Sequence, residues 1–253
     1  AHGFDANHTP IPMETARGCW WGAKHHCTFC GLNAADLAFR SKSPDRVIDE
    51  FGWLVDRHRP LEIRVADNIM DMRYFKTVLP ELAESRSTTL FYETKANLTR
   101  DHVRILAEAR VNRIQPGIES FSDKSLRLMR KGVSKLQNIQ LLRWSAEYGV
   151  GLVWNYLLGF PGEDDDEIPG IAEECELLHH LEPPADCGVL RIDRFSPYFN
   201  DAESYGLAPL RPCKAYRHVY PFPPESIARI AYFFQSDLLD RKQDSPSRAI
   251  VGS

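Results

Sequence analysis

Thr89-Leu90-Phe91-Tyr92-Glu93-Thr94-Lys95-Ala96-Asn97-Leu98-Thr99-Arg100-Asp101-His102-Val103-Arg104-Ile105-Leu106-Ala107-Glu108-Ala109-Arg110-Val111-Asn112-Arg113-Ile114-Gln115-Pro116-Gly117-Ile118 decides the fold. Thr89–Glu93 and Arg113–Ile118 are short runs of β-branched, aromatic and aliphatic residues, the composition of strands. Between them Thr99 is a plausible helix cap, and Val103, Leu106 and Ala107 share one face of the segment to Ala109. Strand, helix, strand at this spacing is a parallel βαβ unit, because parallel neighbours need a long crossover.

The same alternation extends both ways. Upstream lie a first strand over Met13–Ala16, a helix over Asp45–His58 behind Ser43-Pro44, and a strand over Leu61–Ala66. Downstream, Ser134–Tyr148 carries Leu136, Ile139, Leu142 and Trp144 before a Gly149 stop. Val150–Leu158 and Val189–Ile192 read as strands, and Glu163–Leu181 as a helix that Pro169 interrupts near its start. Five or six units fill positions 12 to about 193. The fold class is therefore α/β, a parallel barrel, complete or partial.

Beyond Arg194 the pattern changes to a Pro-rich, aromatic stretch, with one helix expected over Glu225–Asp240 and no pattern from Arg241 on. The expected division is 1–195 for the barrel and 196–253 for a C-terminal extension.

With 253 residues, 43% apolar and 26% charged, the composition is globular and excludes disordered and fibrous classes. A net charge of −4 argues against nucleic acid as a partner. Val150–Gly162, the longest uncharged apolar stretch, is too short to span a bilayer, so no membrane is expected. No secretory signal opens the chain, and a start at Ala1 suggests a fragment or a processed form.

Six cysteines are present, unevenly placed. Cys19, Cys27 and Cys30 fall in one polar loop, directly after the first strand, where barrel chemistry takes place. Three soft thiolates in one loop suit an iron–sulfur cluster with one open iron. Zinc with His25 or His26 as fourth ligand is an alternative, and three inert thiols another. Cys175 reads as a small helical core residue; the roles of Cys187 and Cys213 stay open.

Gly18-Cys19-Trp20-Trp21-Gly22-Ala23-Lys24-His25-His26-Cys27-Thr28-Phe29-Cys30-Gly31-Leu32-Asn33, continued by Phe39-Arg40-Ser41-Lys42-Ser43-Pro44, resembles the cluster loop of radical S-adenosylmethionine (SAM) enzymes. More narrowly it is similar to the cobalamin-linked C-methyltransferases that mature ribosomally synthesised peptides (RiPPs). The seven-residue first gap departs from the three residues commonest in the superfamily and agrees with this subgroup. Pro116-Gly117-Ile118-Glu119-Ser120-Phe121-Ser122 and Leu157-Leu158-Gly159-Phe160-Pro161-Gly162-Glu163 resemble two further family segments.

The resemblance implies a partial (β/α)6 TIM-like barrel in which Cys19, Cys27 and Cys30 hold a [4Fe-4S] cluster and SAM completes it. Phe29 would shield adenine or cluster, or simply pack. Glu119 and Ser120 would meet ribose hydroxyls, or begin a helix capped by Ser122. Gly159 would let the backbone approach the cofactor, or serve a turn. Asn155 would contact the cofactor, or be a satisfied core residue. Asp67–Asp71 and Glu93–Asn97, also at strand ends, are candidates for the methionine amino group, ribose or substrate; the alternative for Glu93 and Lys95 is a surface ion pair.

The implied reaction is reductive cleavage of SAM to a 5′-deoxyadenosyl radical and methyl transfer from methylcobalamin to a carbon of a precursor peptide. Electrons would come from a flavodoxin or ferredoxin in the cytoplasm. The subgroup carries a cobalamin-binding domain ahead of the barrel, and these residues hold nothing of it, so cobalamin is expected through a domain absent from this chain. Two alternatives accompany this reading: a radical SAM enzyme of another reaction type (peptide crosslinking, epimerisation or small-molecule rearrangement), and a non-catalytic Cys/His metal-binding module.

Overall fold

The computed structural model describes residues 9–33, 36–84 and 88–243. Strands β1 (Ile11–Met13), β2 (Glu62–Val65), β3 (Thr89–Glu93), β4 (Val111–Gln115) and β5 (Gly151–Leu152) form one five-stranded parallel sheet in chain order. A parallel pair, β6 (Asn155–Leu158) with β7 (Asp186–Val189), follows, and a bridge from Glu119 to Tyr156 ties it to the sheet. Taking β5 and β6 as one interrupted strand gives six units, each beside its predecessor, which is the winding of a partial barrel rather than of a doubly wound sheet.

One sheet face is apolar because the crossover helices cover it. Ile63, Val65, Leu90, Tyr92 and Ile114 are buried with Val47 and Phe51 of α1 (Pro44–His58) and with Val78 and Leu79 of α2 (Tyr74–Leu82). Val103 and Leu106 of α3 (Arg100–Glu108) and Leu141 and Leu142 of α5 (Lys135–Tyr148) join the same cluster; α4 (Asp123–Leu128) lies between. Each such aliphatic burial contributes about 1.5–3 kcal/mol. Residues of opposite parity, Glu62, Arg64, Phe91, Glu93, Arg113 and Gln115, consequently point into the concave lumen.

Helix starts follow their caps. Ser43, Thr99, Ser122 and Ser134 each accept a backbone N–H three residues on, and Gly149 ends α5 with φ 70°. Pro169 sits in the first turn of α6 (Ile168–Leu177), where its missing N–H costs little.

Several expectations are corrected. The first strand ends at Met13, because Asp67 captures the Thr15 N–H at 2.7 Å and its hydroxyl; Ala16–Arg17 instead pairs antiparallel with Arg40–Ser41. The run Val150–Leu158 is interrupted at Val153–Trp154, where the chain passes from β4 to β7 as pairing partner. Helix α2 was not anticipated, since Pro80 lies within it and its first turn has no side-chain cap. Leu136 is solvent-exposed, and Cys175 is exposed rather than core.

The expected helix over Glu225–Asp240 is instead α7 (Pro224–Ile230), a strand over Phe233–Gln235, and α8 (Asp237–Gln243). Phe233–Gln235 is the centre of an antiparallel sheet between Ile192–Asp193 and Arg211–Pro212, so backbone pairing on both sides overrides helical spacing. Phe234 is buried there, 4.8 Å from Phe199, in a second apolar cluster that joins Leu126, Met129 and Phe160 to Ile192, Tyr198 and Leu239. Residues 244–253 of the C-terminal tail lie outside the described residues. No helix among the described residues is long and apolar enough to cross a membrane.

Truncating Phe234 to Ala should lower stability by about 3–5 kcal/mol, whereas Leu136→Ala at an exposed helix position should change it by less than about 0.5 kcal/mol. Urea unfolding followed by circular dichroism checks both.

Candidate active site at the barrel mouth

The cysteine loop emerges from β1 and is gripped by its own tryptophans and threonine. Trp20 Nε1 donates to Met70 O at 3.0 Å, on the loop after β2, and Trp21 Nε1 donates to Arg130 O at 3.0 Å, on the loop after α4. Thr28 N–H bonds Met129 O at 3.1 Å and its hydroxyl bonds Leu128 O at 2.9 Å. Thr28 O in turn accepts from Tyr198 N–H at 3.1 Å. The Trp21 ring lies against Gly132, which adopts φ +62°; a Cβ there would meet the ring at 2.1 Å. Glycine is required at that position both for the backbone and for the approach.

Three free thiols are held in this loop, Cys19, Cys27 and Cys30, each half-buried. Burial pushes the Cys27 thiol up and Cys30 up to about 11, so without a metal both stay protonated at neutral pH. Two cations stand beside them. Lys131 pairs with Glu119 at 3.4 Å and lies 5.8 Å from the Phe29 ring centroid. Burial opposes its charge, yet the Glu119 carboxylate holds the ammonium above its ordinary range. Lys95 donates to Gly132 O at 3.1 Å and sits 4.2 Å from the Trp21 ring centroid; burial, then the Lys131 charge, brings it down to about 8.

The donor set fits a thiolate-bound cluster: three soft ligands in one loop, none tied in a disulfide, with ammonium groups to offset their negative charge. The two histidines offered for zinc are engaged otherwise. His25 stacks on Trp21 at 4.1 Å, and His26 Nε2 donates to Cys30 O at 2.9 Å. Among the described residues no three His, Cys, Asp or Glu side chains gather as around a single ion.

Phe29, Glu119 and Lys131 come together beside Cys27, and Phe29 also meets Phe160 edge-on at 5.9 Å. Glu119 has φ +63°, an uncommon backbone for a non-glycine residue, held by the bridge to Tyr156. Ser120 is buried; its hydroxyl meets Tyr156 OH at 3.3 Å and accepts the Ser122 N–H at 3.0 Å. Asn155 is exposed on the lumen side, one step in register from the Glu119 bridge. Gly159, φ +86°, donates its N–H to the Glu163 carboxylate, which also takes the Phe160 N–H at 3.1 Å. That carboxylate closes the Gly-Phe-Pro-Gly turn.

The other strand-end candidates divide. Asp67 binds Thr15, and burial pushes its carboxyl up. Asp71 is taken by Ser41 and Arg73. Asn68 Nδ2 donates to Asn33 Oδ1 at 2.8 Å, tying the end of the cysteine loop. Glu93 and Lys95 form no ion pair with each other; Lys95 is buried by the loop. Thr94 Oγ1 and Asn97 Oδ1 are buried without a hydrogen-bond partner among the described residues. Lys95 belongs to the strand-end candidates, whereas Trp20, Trp21 and Lys131 were not singled out as site residues, although both tryptophans stand in the cysteine loop itself. Cys187 packs at the edge of the main core and Cys213 is half-buried in the C-terminal part.

The family model of the radical SAM superfamily matches residues 13–175, and the chain belongs to that superfamily. A methyltransferase of uncharacterised specificity from Pyrococcus horikoshii is 25% identical over 161 residues, covering 62% of this chain and 34% of that protein. The ribosomal protein uS12 methylthiotransferase RimO of Saccharopolyspora erythraea is 26% identical over 176 residues, with coverage of 62% and 34%. The chain thus spans about a third of the length of these curated relatives.

Among solved structures, the radical SAM methyltransferase TsrM of Kitasatospora setae superposes with TM-score 0.65 at 17% identity, covering 79% of this chain and 39% of that one. The cobalamin-dependent radical enzyme OxsB with aqua-cobalamin reaches TM-score 0.68 at 15% identity, covering 94% and 40%. Both share the fold. Membership in the superfamily carries with it a [4Fe-4S] cluster and SAM.

Gly132→Val should displace Trp21 and loosen the cysteine loop. After anaerobic reconstitution, iron and acid-labile sulfide per chain should fall by half or more, while the far-ultraviolet spectrum stays that of the parent.

Proposed function

We propose that this radical SAM enzyme methylates a carbon of a ribosomally synthesised peptide, with methylcobalamin as methyl source and SAM as radical source. The observation that carries the reading is the loop of Cys19, Cys27 and Cys30, clamped at the mouth of a barrel shared with TsrM and OxsB. The relatives named for methyl and methylthio transfer point the same way.

In this reading Cys19, Cys27 and Cys30 hold the cluster, one thiolate per iron. When bound, the cluster supplies the electron that cleaves SAM to methionine and a 5′-deoxyadenosyl radical. Lys131 and Lys95 offset the charge of the three thiolates, and Glu119 keeps Lys131 in place. Phe29, backed by the fully buried Phe160, would present an apolar surface that keeps water from the radical. Glu119 and Asn155 would hold the ribose. Ser120 serves through Tyr156 to fix the strained Glu119 backbone, and Gly159, held by Glu163, brings backbone close to adenine.

Reconstituted chain with dithionite and SAM should release 5′-deoxyadenosine. Ala in place of Cys19, Cys27 or Cys30 should abolish it, and Ala in place of Cys175 or Cys213 should leave it within about twofold of the parent. Absence of 5′-deoxyadenosine with a fully loaded cluster would overturn the radical assignment. With methylcobalamin and precursor peptides encoded beside the gene, mass spectrometry should find a methyl group on carbon. A methylthio group, or a crosslink without added carbon, would replace the methylation reading.

A further inference from the structure

The lumen below the mouth carries a charged layer that the radical chemistry does not use. Arg64 on β2 and Arg113 on β4 flank Phe91 on β3 in register. Both guanidinium groups share one carboxylate, Glu62, at 3.1 Å for Arg64 and 3.4 Å for Arg113. Glu62 is only 14% exposed, whereas the arginines are 53% and 44% exposed. Two positive charges on one negative leave the layer at +1. Each guanidinium has five N–H donors, and one NH2 of each is engaged by Glu62, with no other hydrogen bond from either group among the described residues. Arg64 lies 5.3 Å from the Phe91 ring centroid, which fixes its plane. On the other side, Gly151 is the register partner of Arg113 and has no side chain to fill the space.

We infer that this layer is the anchor for a carboxylate of the substrate, gripped between Arg64 and Arg113 on the lumen floor. Paired, planar donor forks with a shared counter-carboxylate match a carboxylate bidentately, and the residual positive charge favours an anion over a neutral group. The anchor sits roughly 10 Å below the strand end at Asp67, three residues on at about 3.3 Å each. A substrate held there reaches the mouth with the segment beyond its anionic group. Glu93, one layer above, is the nearest competing carboxylate on β3 and is half-buried. Further up the same strand line, Lys95 adds a second positive charge near the mouth.

The inference rests on the proposed function only for the peptide nature of the carrier. Its test therefore reads binding without SAM, reductant or turnover, so that either reading can fail alone. The probes are acetyl-triglycine, which has a terminal carboxylate, its C-terminal amide, acetyl-glutamate diamide-blocked at its backbone so that only the side-chain carboxylate remains, and inorganic phosphate. The arginine Nε–H resonances of the reconstituted chain are followed by NMR.

At least one carboxylate probe should shift the Arg64 and Arg113 signals saturably while the amide does not; which probe binds tells whether the carboxylate is terminal or on a side chain. Arg64→Met or Arg113→Met should weaken that binding about tenfold or more. Glu62→Gln, which removes the competing carboxylate, should strengthen it several-fold. Thermal melts confirm that each variant folds; both arginines are exposed, so removing their charge leaves the sheet intact. Equal shifts by acid and amide, no response to any carboxylate, phosphate binding more tightly than both carboxylates, or weaker binding in Glu62→Gln would each overturn the assignment.

Discussion

The contact of Trp21 with Gly132 is the constraint around which the mouth of this barrel is organised. A loop bearing three thiols and only one short helical turn must borrow order from neighbouring segments. Trp21 supplies that order three ways: its indole N–H reaches Arg130 O, its face takes the Lys95 ammonium, and its edge fills the space that Gly132 leaves. Thr28 then adds two hydrogen bonds to the same segment, at Leu128 and Met129. The loop from the first strand and the loop beyond the fourth become one unit, and Cys27, Phe29, Glu119 and Lys131 are neighbours as a result.

Electrostatics within that unit are balanced locally. Burial alone would keep the thiols protonated and would discharge Lys131; the Glu119 carboxylate reverses the second effect. A buried ion pair of this kind stabilises little by itself, because desolvation offsets much of the attraction. Its value lies in placing a fixed positive charge where thiolates will stand. Lower in the barrel, Arg64, Glu62 and Arg113 form a second arrangement with a different outcome, a net positive layer open to solvent.

Much of the frame was legible in the residues. The βαβ alternation, the caps at Ser43, Thr99 and Ser134, and the Gly149 stop all act through near neighbours, so their structural meaning is visible locally. The cysteine loop was equally legible because its ligands are contiguous. What escaped was governed by distant partners. Tyr232–Phe234 has helical neighbours, yet Phe234 becomes a strand residue because Ile192–Asp193 and Arg211–Pro212 offer unpaired backbone on either side. Thr15 leaves the first strand because Asp67, far along the chain, captures it. Lys95 was one member of a strand-end candidate segment and Lys131 was not singled out; that both stand beside the thiols follows only from how the loops pack.

By itself, then, the sequence determined that this chain is a parallel α/β barrel with three thiols after its first strand, since hydrophobic period, capping and ligand spacing are short-range properties. Tertiary structure alone decided which charges surround those thiols and which line the lumen. Side-chain parity assigns a strand residue to one face or the other, but only the packing of helices on one side declares that Arg64 and Arg113 look inward. Pairing, burial and the dielectric they create are sums over residues remote in the chain, and no local stretch contains them.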